Sequence, residues 1–255
     1  MHHEQPERPQ PTTTPPSIML PLVVVVVATL VTQLCSLACT YDGRFLTVLV
    51  PSALVLSLIT VPLAITGLSL GQRIGLGAPL LTSLLNRDPG SGRWLVTDAK
   101  LSISLGLSLG TLLLLLRYFA LPFLPPELPA LGHRGVLGGL FVSIGAAVGE
   151  EVWLRLGVLT ILAWGFLWVI GSREVSQSVG WVSVVISAIA FAAIHLPQLA
   201  SHGAANGIGI MATMAGNTVV GILFGYLYWR RSLLAAVLAH FAVDIVLHVV
   251  SALMA

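Results

Sequence analysis

Long apolar stretches recur along the whole chain and constrain its fold more than any other feature. The 255 residues are 56% hydrophobic and 9% charged, whereas a soluble domain carries about 25% charged residues. A helix of roughly 20 apolar residues crosses the hydrocarbon of a bilayer. The sequence therefore predicts an integral, multi-pass membrane protein: an all-α, polytopic transmembrane helical bundle of seven to eight helices. The predicted apolar segments are 18–40, 45–71, 99–121, 136–171, 181–197, 205–229 and 232–254.

Two domain predictions follow from composition. Residues 1–17 are polar and rich in proline, so we expect a disordered N-terminal tail. Residues 18–255 form one helical membrane domain, which lies in the plasma membrane if the source is prokaryotic. The net charge is only +2, and the basic residues form no patch typical of nucleic-acid binding. We expect the lipid bilayer as a partner and no nucleic acid.

The segment 136–171 is too long for one perpendicular crossing. It forms either one tilted helix or a crossing plus a short helix, broken near Gly157 or Gly165. A single crossing gives seven in total, and the excess of basic residues then lies on the cytoplasmic side, as is usual. That side would hold Arg8, Arg73, Arg87, Arg93, Lys100, Arg173, Arg230 and Arg231, leaving Arg44, Arg117 and Arg134 outside. The charge distribution favours an odd number of crossings, or a short re-entrant helix.

Ionisable residues inside membrane segments cost about 2.5–3.5 kcal/mol each to insert, so they need partners or a function. The first group is Glu150, Glu151 and Arg155. Glu151 and Arg155 are four residues apart and can pair on one helix face, while Glu150 points about 100° away. A structural salt bridge explains one Glu–Arg pair, but it leaves the second glutamate available as a general base.

The second group is Phe191 and His195, one turn apart, with Pro197 expected to end or kink the helix. The third is a stripe of His240, Asp244 and His248, which repeat every four residues. Interhelical hydrogen bonding explains each group singly. One shared buried site explains all of them together better. It requires that the chain continue into the membrane beyond Pro197, or that the His195 helix be short and deep.

These residues resemble the CAAX-prenyl-protease and bacteriocin-processing family (CPBP, or Abi) of intramembrane glutamate endopeptidases. The family signatures Glu-Glu-x-x-x-Arg, Phe-x-x-x-His and His-x-x-x-Asn/Asp occur here in order; the motif core spans about 136–254. Their members are Glu150, Glu151, Arg155, Phe191, His195, His240 and Asp244. The resemblance implies hydrolysis of peptide bonds in a peptide or membrane-anchored protein, without a cofactor. Glu150 would activate a water oriented by His195, Arg155 would hold Glu151, and His240 with Asp244 would stabilise the oxyanion.

Two positions depart from the family pattern. Asp244 stands where asparagine is common, and an ionised carboxylate cannot donate a hydrogen bond. We therefore expect Asp244 to hold His240 in its charged form, so that the imidazolium donates. Leu156 stands where many members have glycine, which affects local packing.

Three alternatives remain open. Glu150, His195, His240 and Asp244 are also possible ligands of a divalent metal such as zinc; we favour the metal-free mechanism because Arg155 would repel a cation. Buried Glu, His and Asp chains also occur in proton-coupled transporters. A family member that serves in immunity or as a scaffold, without catalysis, is the third alternative.

Overall fold

A computed structural model describes residues 17–40 and 45–254, all of whose regular elements are helices. The predicted disordered tail, apart from Ser17, and Arg44 lie outside the described residues. The helices are α1 (Met19–Thr40), α2 (Phe45–Ile74), α3 (Pro79–Leu85), α4 (Ser91–Ala120), α5 (Gly135–Ile170), α6 (Gln177–Ala193), α7 (Leu196–Ser201), α8 (Gly207–Arg230) and α9 (Leu233–Met254). A 3₁₀ turn, Leu121–Phe123, follows α4.

Seven of the described helical segments are long and apolar enough to cross a membrane, which confirms the polytopic helical bundle. The large apolar side chains on the outside fit a lipid environment: Leu58 is 74% exposed and Trp168 is 75% exposed. The segment predicted as 136–171 is one continuous helix, α5, and it does not break at Gly157 or Gly165. The described residues thus have the odd number of candidate crossings that the charge distribution favours.

Helix α4 begins eight residues before the predicted apolar segment, because polar residues in its first turns have partners. Asp98 is 4% exposed. Its carboxylate accepts a hydrogen bond from the Ser232 hydroxyl at 2.7 Å and lies 3.9 Å from the Arg231 guanidinium. The connection before α4, predicted as one long break, contains the short helix α3.

Helix α5 lies at the centre of the bundle and contacts α1, α2, α6, α8 and α9. Its first half is lined by glycines that allow close approach. A Cβ on Gly149 would lie 2.3 Å from the Gln33 side chain of α1, and one on Gly139 would lie 2.7 Å from the His248 carbonyl oxygen of α9. Small residues permit such contacts in membranes, where helices associate through packing.

The two ends of the bundle differ in charge. The arginine-rich end comprises residues 72–94, 171–176 and 230–232. At this end α2, α5 and α8 end and α4, α6 and α9 begin. The mouth end comprises residues 121–134 and 194–206, which follow α4 and α6. Ser176, Asn206 and Ser232 cap α6, α8 and α9 by accepting a hydrogen bond from a backbone N–H of the first turn.

Candidate active site

The two glutamates lie where α5 changes from α-helix to π-helix. The π-helical stretch is Glu151–Leu159, and a second one, Ile245–Val250, follows Asp244 in α9. Segments of this kind are rare and occur often at functional sites, because the wider turn redirects side chains. Both stretches in this protein begin at the residue after a member of the predicted site.

The predicted pair of Glu151 and Arg155 is present, with Arg155 Nε 3.3 Å from Glu151 Oε2 and both side chains fully buried. Arg155 also donates a hydrogen bond to the Gly221 carbonyl oxygen at 3.1 Å. Its guanidinium carbon lies over the ring of Phe191, 4.6 Å from the centroid, and 5.4 Å from that of Phe224. These contacts hold the cation in place and surround it with aromatic faces.

His240 lies among three carboxylates. Its Nδ1 is 2.8 Å from Glu151 Oε1, while its Nε2 is 3.5 Å from Asp244 Oδ2 and 3.9 Å from Glu150 Oε2. Because a carboxylate only accepts, Nδ1 carries the hydrogen that faces Glu151. The sequence led us to expect that Asp244 orients His240. In the structure Glu151 makes the short contact and Asp244 faces the other ring nitrogen.

Burial separates the two glutamates. The Glu151 side chain has no exposed area and contacts both Arg155 and His240, whereas the Glu150 side chain is 19% exposed. Glu150 is therefore the more accessible of the two carboxylates. The same separation was predicted from the 100° between adjacent helical positions.

His195 lies at the end of α6 and reaches the same cluster. Helix α6 is only 17 residues long and ends at Ala193; Pro197 lies in the first turn of α7, so it begins a helix instead of ending one. His195 Nδ1 lies 2.8 Å from the Phe191 carbonyl oxygen. The Phe191 ring links the two histidines, since its centroid is 5.0 Å from that of His195 and 5.8 Å from that of His240. The short His195 helix is one of the two conditions under which the histidines can share a site.

A basic group borders the cluster at the mouth end. The charges of Arg134 and His248 both interact with that of Asp244. Burial lowers the pKa of Arg134, and the Asp244 carboxylate raises it in turn. Burial also lowers the pKa of His133, the Ala130 carbonyl opposes this, and Arg134 lowers it further. His248, predicted in the polar stripe, thus lies beside Asp244 toward the mouth.

The residues of the alternative metal site were tested against this geometry. Within the described part of the chain, no group of three or more His, Cys, Asp or Glu side chains is arranged to hold a metal ion. His240 directs Nδ1 to Glu151, which is itself paired with Arg155. We therefore derive no catalytic step through a metal.

Sequence reasoning missed Phe224. Its ring stacks on that of His240, with centroids 4.5 Å apart and planes 14° apart, and it also lies beside Arg155. No polar pattern marks it, because it is one apolar residue within the apolar helix α8. The neighbouring Gly221 and Gly225 do give a signal: a Cβ at either position would contact α6 closely, at 3.0 Å from Ala188 and 3.1 Å from Val184.

A seven-span helical bundle with carboxylates, histidines and an arginine buried at its centre defines the class: a polytopic membrane protein with an intramembrane polar site. Residues 133–246 match the family described as "Type II CAAX prenyl endopeptidase Rce1-like". The matched part contains every predicted site residue, and over these residues it confirms the predicted resemblance to the family of CAAX-protease-type intramembrane endopeptidases. No curated protein and no solved structure matches the chain.

Proposed function

We propose that this protein is an intramembrane endopeptidase in which Glu150 activates the hydrolytic water, without a metal. One observation carries the proposal: of two adjacent glutamates, Glu151 is fully enclosed and paired with Arg155, whereas Glu150 is 19% exposed and faces His240. A general base must reach both water and substrate. Glu150 satisfies this requirement and Glu151 does not.

In the proposed reaction, water lies between Glu150 and His195. Glu150 takes a proton from the water as its oxygen attacks the carbonyl carbon of the scissile peptide bond. The protonated Glu150 then passes that proton to the departing amine, which breaks the C–N bond. His195 orients the water, and Phe191 holds its ring at 5.0 Å between centroids.

His240 is the proposed donor to the tetrahedral oxyanion. With Nδ1–H directed to Glu151 at 2.8 Å, a charged His240 presents Nε2–H on the side of Glu150. The three carboxylates within 4 Å supply the negative charge that balances an imidazolium. Stacking on Phe224 fixes the plane of the ring. One preorganised donor of this kind is worth about 10²–10³ in kcat.

The substrate is proposed to enter from the mouth end. His195 stands where α6 ends, and Arg134 and His248 border Asp244 on that side. A substrate segment anchored in the bilayer can place its scissile peptide bond beside Glu150. The residues on either side of that bond then remain in lipid or at the mouth end. The family description names a CAAX prenyl endopeptidase, so a prenylated C-terminal peptide and an unmodified transmembrane peptide are both to be tested.

The experiment is cleavage of both peptides by purified protein in liposomes prepared in H₂¹⁸O. Hydrolysis puts one ¹⁸O into the new carboxylate, which mass spectrometry detects; the wild type is compared with His195→Ala. Asp88→Asn, at the arginine-rich end, is the control, because it removes a carboxylate charge outside the cluster. We expect labelled product from the wild type and the control, and a loss of 10²-fold or more for His195→Ala. Cleavage by His195→Ala at the wild-type rate would refute the assignment.

A chelator added to the same assay separates the two mechanisms. We expect full activity after chelation. Loss of activity that added zinc restores would instead support a metal bound by the alternative ligands. If the protein cleaves neither peptide, the result would favour a non-catalytic role.

A further inference from the structure

A cavity of about 350 Å³ lies at the arginine-rich end, far from the candidate active site. Three arginines and a tryptophan line it, together with one glutamate. We name these residues the arginine cavity: Arg73, Arg173, Glu174, Trp229 and Arg230. We propose that the arginine cavity binds the phosphate of an anionic lipid headgroup.

Charge is the first reason. The lining carries three guanidinium groups against one carboxylate, a net charge of +2. Neither Arg73 nor Arg173 forms an ion pair with another described residue. Both are exposed. Guanidinium groups bind phosphate through paired N–H donors, so two such groups at one cavity form an anion site.

Depth in the membrane is the second reason. Trp229 packs edge-to-face on Trp181, with ring centroids 5.9 Å apart, and Trp181 stacks on Tyr226 at 5.6 Å. Tryptophan and tyrosine gather at the level of the lipid headgroups. The Arg230 guanidinium lies over the Trp229 ring, 4.3 Å from its centroid. The cavity is therefore at the height where a lipid presents its phosphate.

The cavity is also preformed. The Tyr228 hydroxyl, beside Trp229 in α8, accepts a hydrogen bond from the Gly77 N–H at 2.9 Å and lies 2.6 Å from the Thr160 hydroxyl of α5. These contacts join α5 and α8 to the residues that follow α2. Basic pockets between helices on the cytoplasmic side are typical sites for anionic headgroups, and this end is the one predicted to be cytoplasmic.

The test uses purified full-length protein in detergent and measures its melting temperature during titration with short-chain phosphatidylglycerol. Short-chain phosphatidylcholine and inorganic phosphate are titrated in parallel. Arg73→Gln/Arg173→Gln is the variant, and Arg87→Gln/Arg93→Gln, which removes two exposed arginines of the same end outside the cavity, is the matched control.

We expect saturable stabilisation by phosphatidylglycerol, weakened roughly 30-fold in the cavity variant at low salt and unchanged in the control. Equal weakening in both variants, or equal stabilisation by phosphatidylcholine, would overturn the proposal. Equal stabilisation by inorganic phosphate would overturn the assignment to a lipid, because the cavity would then take free phosphate.

Discussion

The buried ion pair of Glu151 and Arg155 is expected to contribute strongly to the free energy of unfolding. Both side chains are fully buried, 3.3 Å apart, in the middle of a membrane-spanning helix. Removing one partner of a buried pair typically costs 3–5 kcal/mol, because the other charge stays buried without compensation. We therefore expect Arg155→Met and Glu151→Gln each to lower the free energy of unfolding by about 3–5 kcal/mol.

The two substitutions should not add. Methionine keeps the length of the side chain that lies between the Phe191 and Phe224 rings. Glutamine keeps a carbonyl oxygen that accepts from His240 Nδ1. The double variant therefore contains no uncompensated charge from this pair, and we expect it to lose no more than either single variant. The coupling energy would be about 3–5 kcal/mol.

Unfolding by an anionic detergent in mixed micelles, followed by tryptophan fluorescence, gives these energies; the chain has six tryptophans. Arg93→Met, an exposed arginine, is the control and should change stability by at most about 0.5 kcal/mol. Additive losses, with the double variant about 6–10 kcal/mol below the wild type, would refute the reasoning.

Three further predictions concern packing, the oxyanion site and orientation. Gly67→Ala should cost about 1–3 kcal/mol, since its Cβ would lie 2.1 Å from a backbone oxygen of α5, whereas Gly165→Ala, with open space, should gain up to about 1 kcal/mol in unfolding experiments. Asp244→Asn should keep kcat within about tenfold because the amide can donate to the oxyanion. Asp244→Ala removes one of the carboxylates that balance the His240 imidazolium and should be roughly tenfold slower still; equal rates for the two variants would contradict its role. In a protein without its native cysteines, an impermeant maleimide should label His202→Cys in intact cells and Arg87→Cys only after permeabilisation, and the reverse pattern would refute the predicted orientation.

The sequence predicted most of the fold because lipid leaves few choices. The apolar segments and the polar breaks between them predicted the seven candidate crossings of the described residues. Only the start of α4 differs much from its predicted position, because Asp98 is buried against Ser232. The continuity of α5 could not be predicted: its length allowed a break or a tilt. Its glycines lie close to other helices, as Gly149 does to Gln33, and these contacts favour one continuous helix that packs against its neighbours.

The structure brings the predicted site residues together, and the contacts among them were predicted only in part. Helical spacing separated Glu150 from Glu151 and paired Glu151 with Arg155. It could not reveal that Glu151 also contacts His240, because that contact depends on how α9 is rotated against α5. Phe224 was missed for the same reason: an aromatic residue in an apolar helix acquires its role only from the neighbour on which it stacks.

Glu150→Gln tests the central claim most directly. The variant keeps the size of the side chain and removes its basicity, so purified protein should remain folded, with a melting temperature near that of the wild type. We predict that its single-turnover cleavage of a membrane-anchored peptide falls by about 10²–10⁴-fold, while Asp88→Asn cleaves normally. Cleavage by folded Glu150→Gln at the wild-type rate would contradict the account.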